Sequence, residues 1–278
     1  MRWPSLPLLV GVAVLAVVSP SLAGAPSAHP KRGVASAKYL SSDPGVLTRL
    51  RSAWAYDWSW RSPPASTGIE WVPMLWGPRS VTGASIGSLT DDRRSGLARF
   101  LLGFNEPDSG SQSNMTPEQA AALWPRLQST GLRLGSPAPA VPGDGWLARF
   151  MAIARARRLR VDFIALHYYQ DFTDPQAVEQ LQRQLISIHQ RFRKPIWVTE
   201  IGAIDLRAWG EHTHARPTGA LASSYMRKLL AMLDQLSFVQ RYAWFTDNCW
   251  RTPDCRYGSL FDGANRMTAR GAIYSSQS

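Results

Sequence analysis

Short apolar runs alternate with segments of helical apolar period along most of this chain, the pattern of repeated strand–helix units around a parallel sheet. Residues 33–36 make a first short strand. Asp43-Pro44 then opens a helix that places Val46, Leu47 and Leu50 on one face. Residues 54–58 alternate Trp54, Tyr56 and Trp58 against Ala55 and Asp57, and residues 69–76 supply a third run ending Met74-Leu75-Trp76-Gly77. The fourth, Leu101-Leu102-Gly103-Phe104, stops abruptly at Asn105-Glu106-Pro107-Asp108.

Thr116 with Gln119 fits a capping box, and Ala120, Trp124 and Leu127 follow at helical spacing. Residues 132–136 form a fifth strand, 146–158 a helix, and 161–166 a sixth strand running into His167-Tyr168-Tyr169. Asp174-Pro175 caps a helix with Val178, Leu181, Leu185 and Ile188 on one face. Ile196-Trp197-Val198-Thr199-Glu200 is the seventh strand, again apolar until a carboxylate. Residues 223–236 are helical, 239–245 form the eighth strand, and 268–274 a last short helix. Eight such strands in about 245 residues predict an α/β chain folded as a (β/α)8 barrel. An open doubly wound sheet is the alternative, but no glycine-rich nucleotide-binding turn is present to support its common forms.

The first residues stand outside that pattern. Arg2, an apolar run over residues 6–18 and Ser21-Leu22-Ala23 read as a secretory signal over 1–23, since the run is short of the roughly 20 residues a spanning helix needs. A linker over 24–30 and one catalytic domain over 31–278 follow from this, as does a secreted, extracellular or periplasmic, destination with no stable membrane insertion after cleavage. The two cysteines, Cys249 and Cys255, suit a small loop-closing disulfide in an oxidising compartment. With no histidine close by they make half a metal site, so no metal and no cofactor are expected. The net charge of +11 invites a nucleic-acid partner, but the basic residues are scattered. The one dense cluster, 155–160, reads as the solvated end of a helix, so no nucleic acid is expected. The protein is expected to be a monomer.

Glu106 and Glu200 both sit where a buried strand gives way to a loop, which in a barrel puts them on one face of one pocket. Two carboxylates are the minimum apparatus for glycoside hydrolysis: one protonates the leaving oxygen, and the other attacks the anomeric carbon or activates water. Either alone could cap a strand or pair with an arginine; together they point to chemistry. Asp57, Asp171, Asp205 and Asp247 are weaker candidates, because each follows aromatic or loop residues. Of the 12 tryptophans, Trp76, Trp244 and Trp58 fall near strand ends where a sugar-stacking platform would form, while Trp54, Trp124 and Trp197 fall inside apolar patterns and read as core.

Gly103-Phe104-Asn105-Glu106-Pro107-Asp108, Gln112-Ser113-Asn114-Met115-Thr116-Pro117-Glu118, Gly135-Ser136-Pro137-Ala138, Asp162-Phe163-Ile164-Ala165-Leu166-His167-Tyr168-Tyr169 and Trp197-Val198-Thr199-Glu200 resemble glycoside hydrolase family 128, whose members are endo-acting β-1,3-glucanases. The resemblance implies a retaining (β/α)8 glycosidase of double-displacement mechanism, with Glu106 as general acid/base and Glu200 as nucleophile. It gives Asn105 the 2-hydroxyl of the sugar at the cleavage point, and His167 and Tyr169 a contact with sugar or nucleophile; a histidine merely bonded to a neighbouring strand is the other reading of His167. Pro107 would fix the backbone of Glu106. At Tyr168 the family pattern has tryptophan, which bears on the subsite that residue would line. The implied partner is a β-1,3-glucan. A retaining enzyme on another β-glycan, β-1,4-glucan or mannan, or a non-catalytic glucan-binding protein on the same scaffold, remain the alternatives.

Overall fold

The computed structural model describes residues 29–63, 68–143, 145–249, 251 and 253–276. The expected signal over 1–23 lies outside these residues. The strands are β1 (His29–Ala35), β2 (Ser52–Tyr56), β3 (Glu70–Trp71), β4 (Phe100–Leu101), β5 (Arg133–Leu134), β6 (Ile164–Tyr168), β7 (Ile196–Ile201) and β8 (Val239–Phe245). The helices are α1 (Tyr39–Ser42), α2 (Gly83–Arg94), α3 (Pro117–Ser129), α4 (Trp146–Ala156), α5 (Ala177–Phe192), α6 (Gly219–Gln235) and α7 (Ala269–Ser275). β1 takes in His29 and Pro30, which the sequence assigns to the linker.

All strand pairings are parallel. Six strands run in the order β3-β2-β1-β8-β7-β6, and β4 pairs with β5. Single parallel bridges, Met74 with Leu102 and Gly135 with Phe163, join the two groups on both sides and complete the ring of eight. The third, fourth and fifth strands are shorter than their apolar runs suggest. Pro73 interrupts the third and Pro137 the fifth, and neither carries a backbone N–H for the ladder with the fourth strand between them. The extended backbone nevertheless continues upward, with Leu102 N bonded to Pro73 O and Ala138 N to Phe104 O, both at 2.9 Å.

Two apolar layers result. Inside the barrel, Trp54, Phe163 and Trp197 pack with Met74, Leu102 and Ala165, and the rings of Phe163 and Trp197 stack with centroids 4.1 Å apart. These rings fit because facing strands carry no side chain: a Cβ on Gly33 would lie 2.3 Å from the Trp54 ring, and one on Gly135 2.5 Å from Phe163. Between sheet and helices, Trp124 and Leu127 of α3 and Leu181 and Leu185 of α5 form the larger layer. The expected stripe of α5 is buried as the spacing requires. The capping box of α3 forms, Thr116 N donating to Gln119 Oε1 (2.8 Å) and Gln119 N to Thr116 Oγ1 (3.2 Å).

Some elements differ from the sequence pattern. Residues 44–50 form a tight 3₁₀ helix, and the Asp43 side chain does not cap it. α6 begins at Gly219, earlier than its apolar spacing shows, because Thr218 caps it. α2 has no counterpart in the pattern. It buries only Ser85 and Leu89 and shows no apolar stripe, so its signal lies in the reciprocal bonds of Thr82 and Ser85 at its start.

Candidate active site

The fourth strand ends in a turn that sets Glu106. Its backbone N–H donates to Ala138 O (2.8 Å), and Ser109 N returns to Glu106 O (3.0 Å). Glu106 has φ +40, a left-handed conformation that few side chains adopt, and Pro107 disfavours the right-handed helical alternative. Asp108 accepts the N–H groups of Ala140 (2.8 Å) and Val141 (2.9 Å), tying this turn to the loop after β5. Asn105, 3% exposed, donates from Nδ2 to Gln112 Oε1 (3.3 Å). Its Oδ1 is buried with no partner among the described residues.

Glu200 reaches the same space through an irregularity in β7. Trp197 faces the barrel interior and Val198 the helix layer, so strict alternation would send Glu200 outward with Val198. The register against β6 shifts between Leu166 and His167, which pair with Val198 and Glu200 respectively. The extra residue turns Glu200 inward. Three donors then meet its carboxylate: Tyr56 Oη (3.0 Å) and Trp58 Nε1 (2.8 Å) on Oε1, and Tyr169 Oη (2.5 Å) on Oε2. Burial and the Glu200 charge push the phenols of Tyr56 and Tyr169 well above their ordinary pKa, so both remain donors.

His167 lies between the two glutamates and is fully buried. Nδ1 is 2.8 Å from Glu106 Oε1 and Nε2 is 3.2 Å from Glu200 Oε1, the latter contact off the hydrogen-bonding direction. Burial opposes the imidazolium, but the charges of Glu200 and Glu106, with the hydrogen bond to Glu106, outweigh it and raise the histidine pKa. One carboxylate oxygen of each glutamate and a ring nitrogen of His167 all lie within 4.8 Å of one another. This set has the donors to hold a cation, though carboxylate-pair glycoside cleavage needs none. The Cys249, Asp254 and Cys255 group does not, because its sulfurs are joined in a disulfide.

Above the pair opens a cleft of about 510 Å³, lined among others by Trp58, Trp76, Asn105, Tyr169, Trp209 and Phe245. Glu106, Glu200, Asn105, His167, Tyr169, Trp76 and Trp58 are thus brought together as their strand ends imply. Trp244 is not. It is wholly buried in the layer between sheet and helices, donates from Nε1 to Gly258 O (2.6 Å), and packs near Tyr274. The alternation of β8 decides this, since Ala243 and Phe245 face inward and Trp244 cannot. Tyr168 is likewise outward and 3% exposed, so the tryptophan it replaces in the family pattern would not line the cleft at this position.

Trp250, which the sequence places in the loop between the two cysteines, lies outside the described residues. Cys249 and Cys255 are bridged, with Cα atoms 5.6 Å apart, and Cys255 packs in a small cluster with Tyr169 and Phe245. Asp57, Asp171, Asp205 and Asp247 all hold backbone. Asp247, fully buried, accepts Ser36 Oγ (2.5 Å) and Tyr39 N (2.8 Å), while Asp205 accepts Arg207 N (3.3 Å) and Nε (2.9 Å). Asp57 and Asp171 accept the N–H groups of Ser59 (3.3 Å) and Thr173 (2.9 Å). Sequence reasoning missed Tyr56, Gln112, Phe245 and Trp209. The inward alternation of Trp54 and Tyr56 in β2 was the available signal for the first; Trp209, on a 3₁₀ turn, gave none.

Residues 34–274 match the family described as glycosyl hydrolase catalytic core. An endo-β-1,3-glucanase of family 128, subgroup I, from Amycolatopsis mediterranei, solved with laminaritriose, is 38% identical; the match covers 89% of this chain and 99% of that one, with a TM-score of 0.77. A subgroup II endo-β-1,3-glucanase from Sorangium cellulosum is 29% identical over 88% and 98% of the two chains, TM-score 0.72. Alkali-sensitive linkage protein 1 of Schizosaccharomyces pombe is 30% identical over 203 residues, 69% of this chain, which spans about a third (34%) of that relative's length. The chain therefore belongs to the glycosyl hydrolase catalytic core family and, within it, to glycoside hydrolase family 128.

Proposed function

We propose that the protein is an endo-acting β-1,3-glucanase that retains anomeric configuration. The observation that carries this is the spacing of the carboxylates: oxygens within 4.8 Å suit a nucleophile and an acid/base on one glycosidic bond, whereas an inverting pair leaves room for water at about 6.5–9.5 Å. The Amycolatopsis mediterranei enzyme supports the substrate, having been solved with laminaritriose and, as a glutamate-to-alanine variant, with laminaripentaose.

Glu200 attacks the anomeric carbon while Glu106 protonates the departing oxygen. The bond from His167 to Glu106 Oε1 occupies one carboxyl oxygen and leaves the other to carry the proton. Water, deprotonated by Glu106, then releases the sugar from Glu200. Asn105 holds the 2-hydroxyl, whose bond strengthens as oxocarbenium character develops. Trp76 and Trp58 flank the chain, and Tyr169 keeps Glu200 in place. In this reading residues 1–23 export the protein, which works as one catalytic domain and as a monomer outside the membrane.

The test is incubation with laminarin, products resolved by size and the anomeric proton followed by NMR. A ladder of oligosaccharides first formed as β anomers is expected. Glu106→Gln and Glu200→Gln should each abolish release of reducing sugar. Full activity in either variant removes that glutamate from the mechanism, and first-formed α anomers remove retention.

A further inference from the structure

α4 ends at Ala156 and the chain enters β6 at Ile164; α5 ends at Phe192 and the chain enters β7 at Ile196. Both connections therefore lie on the barrel face opposite Glu106 and Glu200. Between the two helix ends runs a trough of about 720 Å³, floored by Ala148, Met151, Ala152, Leu159, Val161 and Phe192. Arg155, Arg191 and Lys194 stand along its lips, with Arg157, Arg158 and Arg193 exposed beside them.

The ordinary reading is that basic residues complement helix C-termini. That accounts for Arg155 and Arg191, which lie in the last turns of α4 and α5, and for Arg157 and Arg193, which are the C-cap residues of the same helices, but not for Arg158 or Lys194. None of the six enters an ion pair among the described residues. Asp162, the acidic residue next to this segment in sequence, is taken by Arg160 and by Leu134 N. Uncompensated cations along a groove concentrate an anionic chain, and guanidiniums suit carboxylates through paired N–H donors.

We propose that this trough docks an acidic, carboxylate-bearing polysaccharide, which would hold the protein on an anionic matrix with its cleft facing away. Aliphatic side chains on the floor match the C–H faces of sugar rings, and the arginines meet the acid groups. A single-stranded nucleic acid would call for a row of aromatic platforms; Phe192 is the one ring here, and Arg191 lies over it at 5.4 Å. A lipid surface would call for protruding apolar side chains, whereas Met151, Leu159 and Phe192 are half-buried and the arginines around them exposed.

The proposal does not rest on glucan cleavage, because retention is read separately from turnover. The full chain is passed over immobilised polygalacturonate and over neutral dextran at low ionic strength, then eluted with salt. Retention on polygalacturonate alone is expected. The combined variant Arg155→Gln, Arg191→Gln, Lys194→Gln should bind roughly tenfold or more weakly, with a shallower salt dependence, and hydrolyse soluble laminarin at the unchanged rate. A control of equal charge change away from the trough, Arg94→Gln, Arg227→Gln, Lys228→Gln, should keep its retention. Equal loss in both variants, no loss in the trough variant, or tighter binding of the wild type to DNA or to phosphatidylserine vesicles overturns the proposal.

Discussion

His167 Nδ1 lies 2.8 Å from Glu106 Oε1, and the opposite nitrogen of the same ring is 3.2 Å from Glu200. One buried imidazole thus lies between both carboxylates and bonds Glu106, while Tyr56, Trp58 and Tyr169 hold Glu200. Strand six supplies the link between strands four and seven.

Replacing that ring should act on rate and on stability with different pH signatures. His167→Gln is expected to lower kcat about 100-fold. The folded pKa of His167 is raised, so its ionised form contributes stability that is fully present below the unfolded histidine value of about 6.5 and is lost as pH rises through the folded value. Thermal melts should show the variant more destabilised relative to wild type at about pH 5 than at about pH 9. An equal difference at both pH values would show that the ring acts by packing alone.

Tyr169→Phe removes the 2.5 Å bond to Glu200 Oε2 while preserving the ring that packs on Phe245 at 5.7 Å. Loss of a hydrogen bond to a charged group is worth about 1.5–3 kcal/mol. A fall in kcat of about 10- to 100-fold with KM little changed is expected from steady-state kinetics. A change confined to KM would place Tyr169 on the sugar rather than on the nucleophile.

Trp244 and Trp76 should separate cleanly. Trp244→Ala empties a site in the layer between sheet and helices and should cost about 3–5 kcal/mol in denaturant unfolding. Its KM should stay near wild type. Trp76→Ala, on the cleft wall, should instead raise KM about tenfold with little loss of stability.

The Cys249–Cys255 bridge closes a short loop whose Cys255 packs near Tyr169 and Phe245. Reduction should lower stability by about 2 kcal/mol from loop entropy alone and raise KM by loosening that wall. Unchanged kinetics after reduction, with thiols confirmed free, would confine the bridge to a structural role.

The sequence by itself determined the eight strands and most of the helices between them, the stripe of α5, the cap of α3 and the placement of Asn105, Glu106, His167 and Glu200 at strand ends. These are local properties: apolar period, capping chemistry, and the abrupt change from apolar to charged residues. Side-chain facing at a strand end is not local, because one inserted residue reverses it. Trp244 faces the helices although it lies beside the cleft in sequence, and Glu200 faces the cleft only because the register against β6 shifts after Leu166. Trp209 reaches the cleft from a turn with no sequence periodicity. Only the tertiary structure decided these positions, since parity depends on pairing with neighbouring strands, and pairing is settled by the closure of the whole barrel.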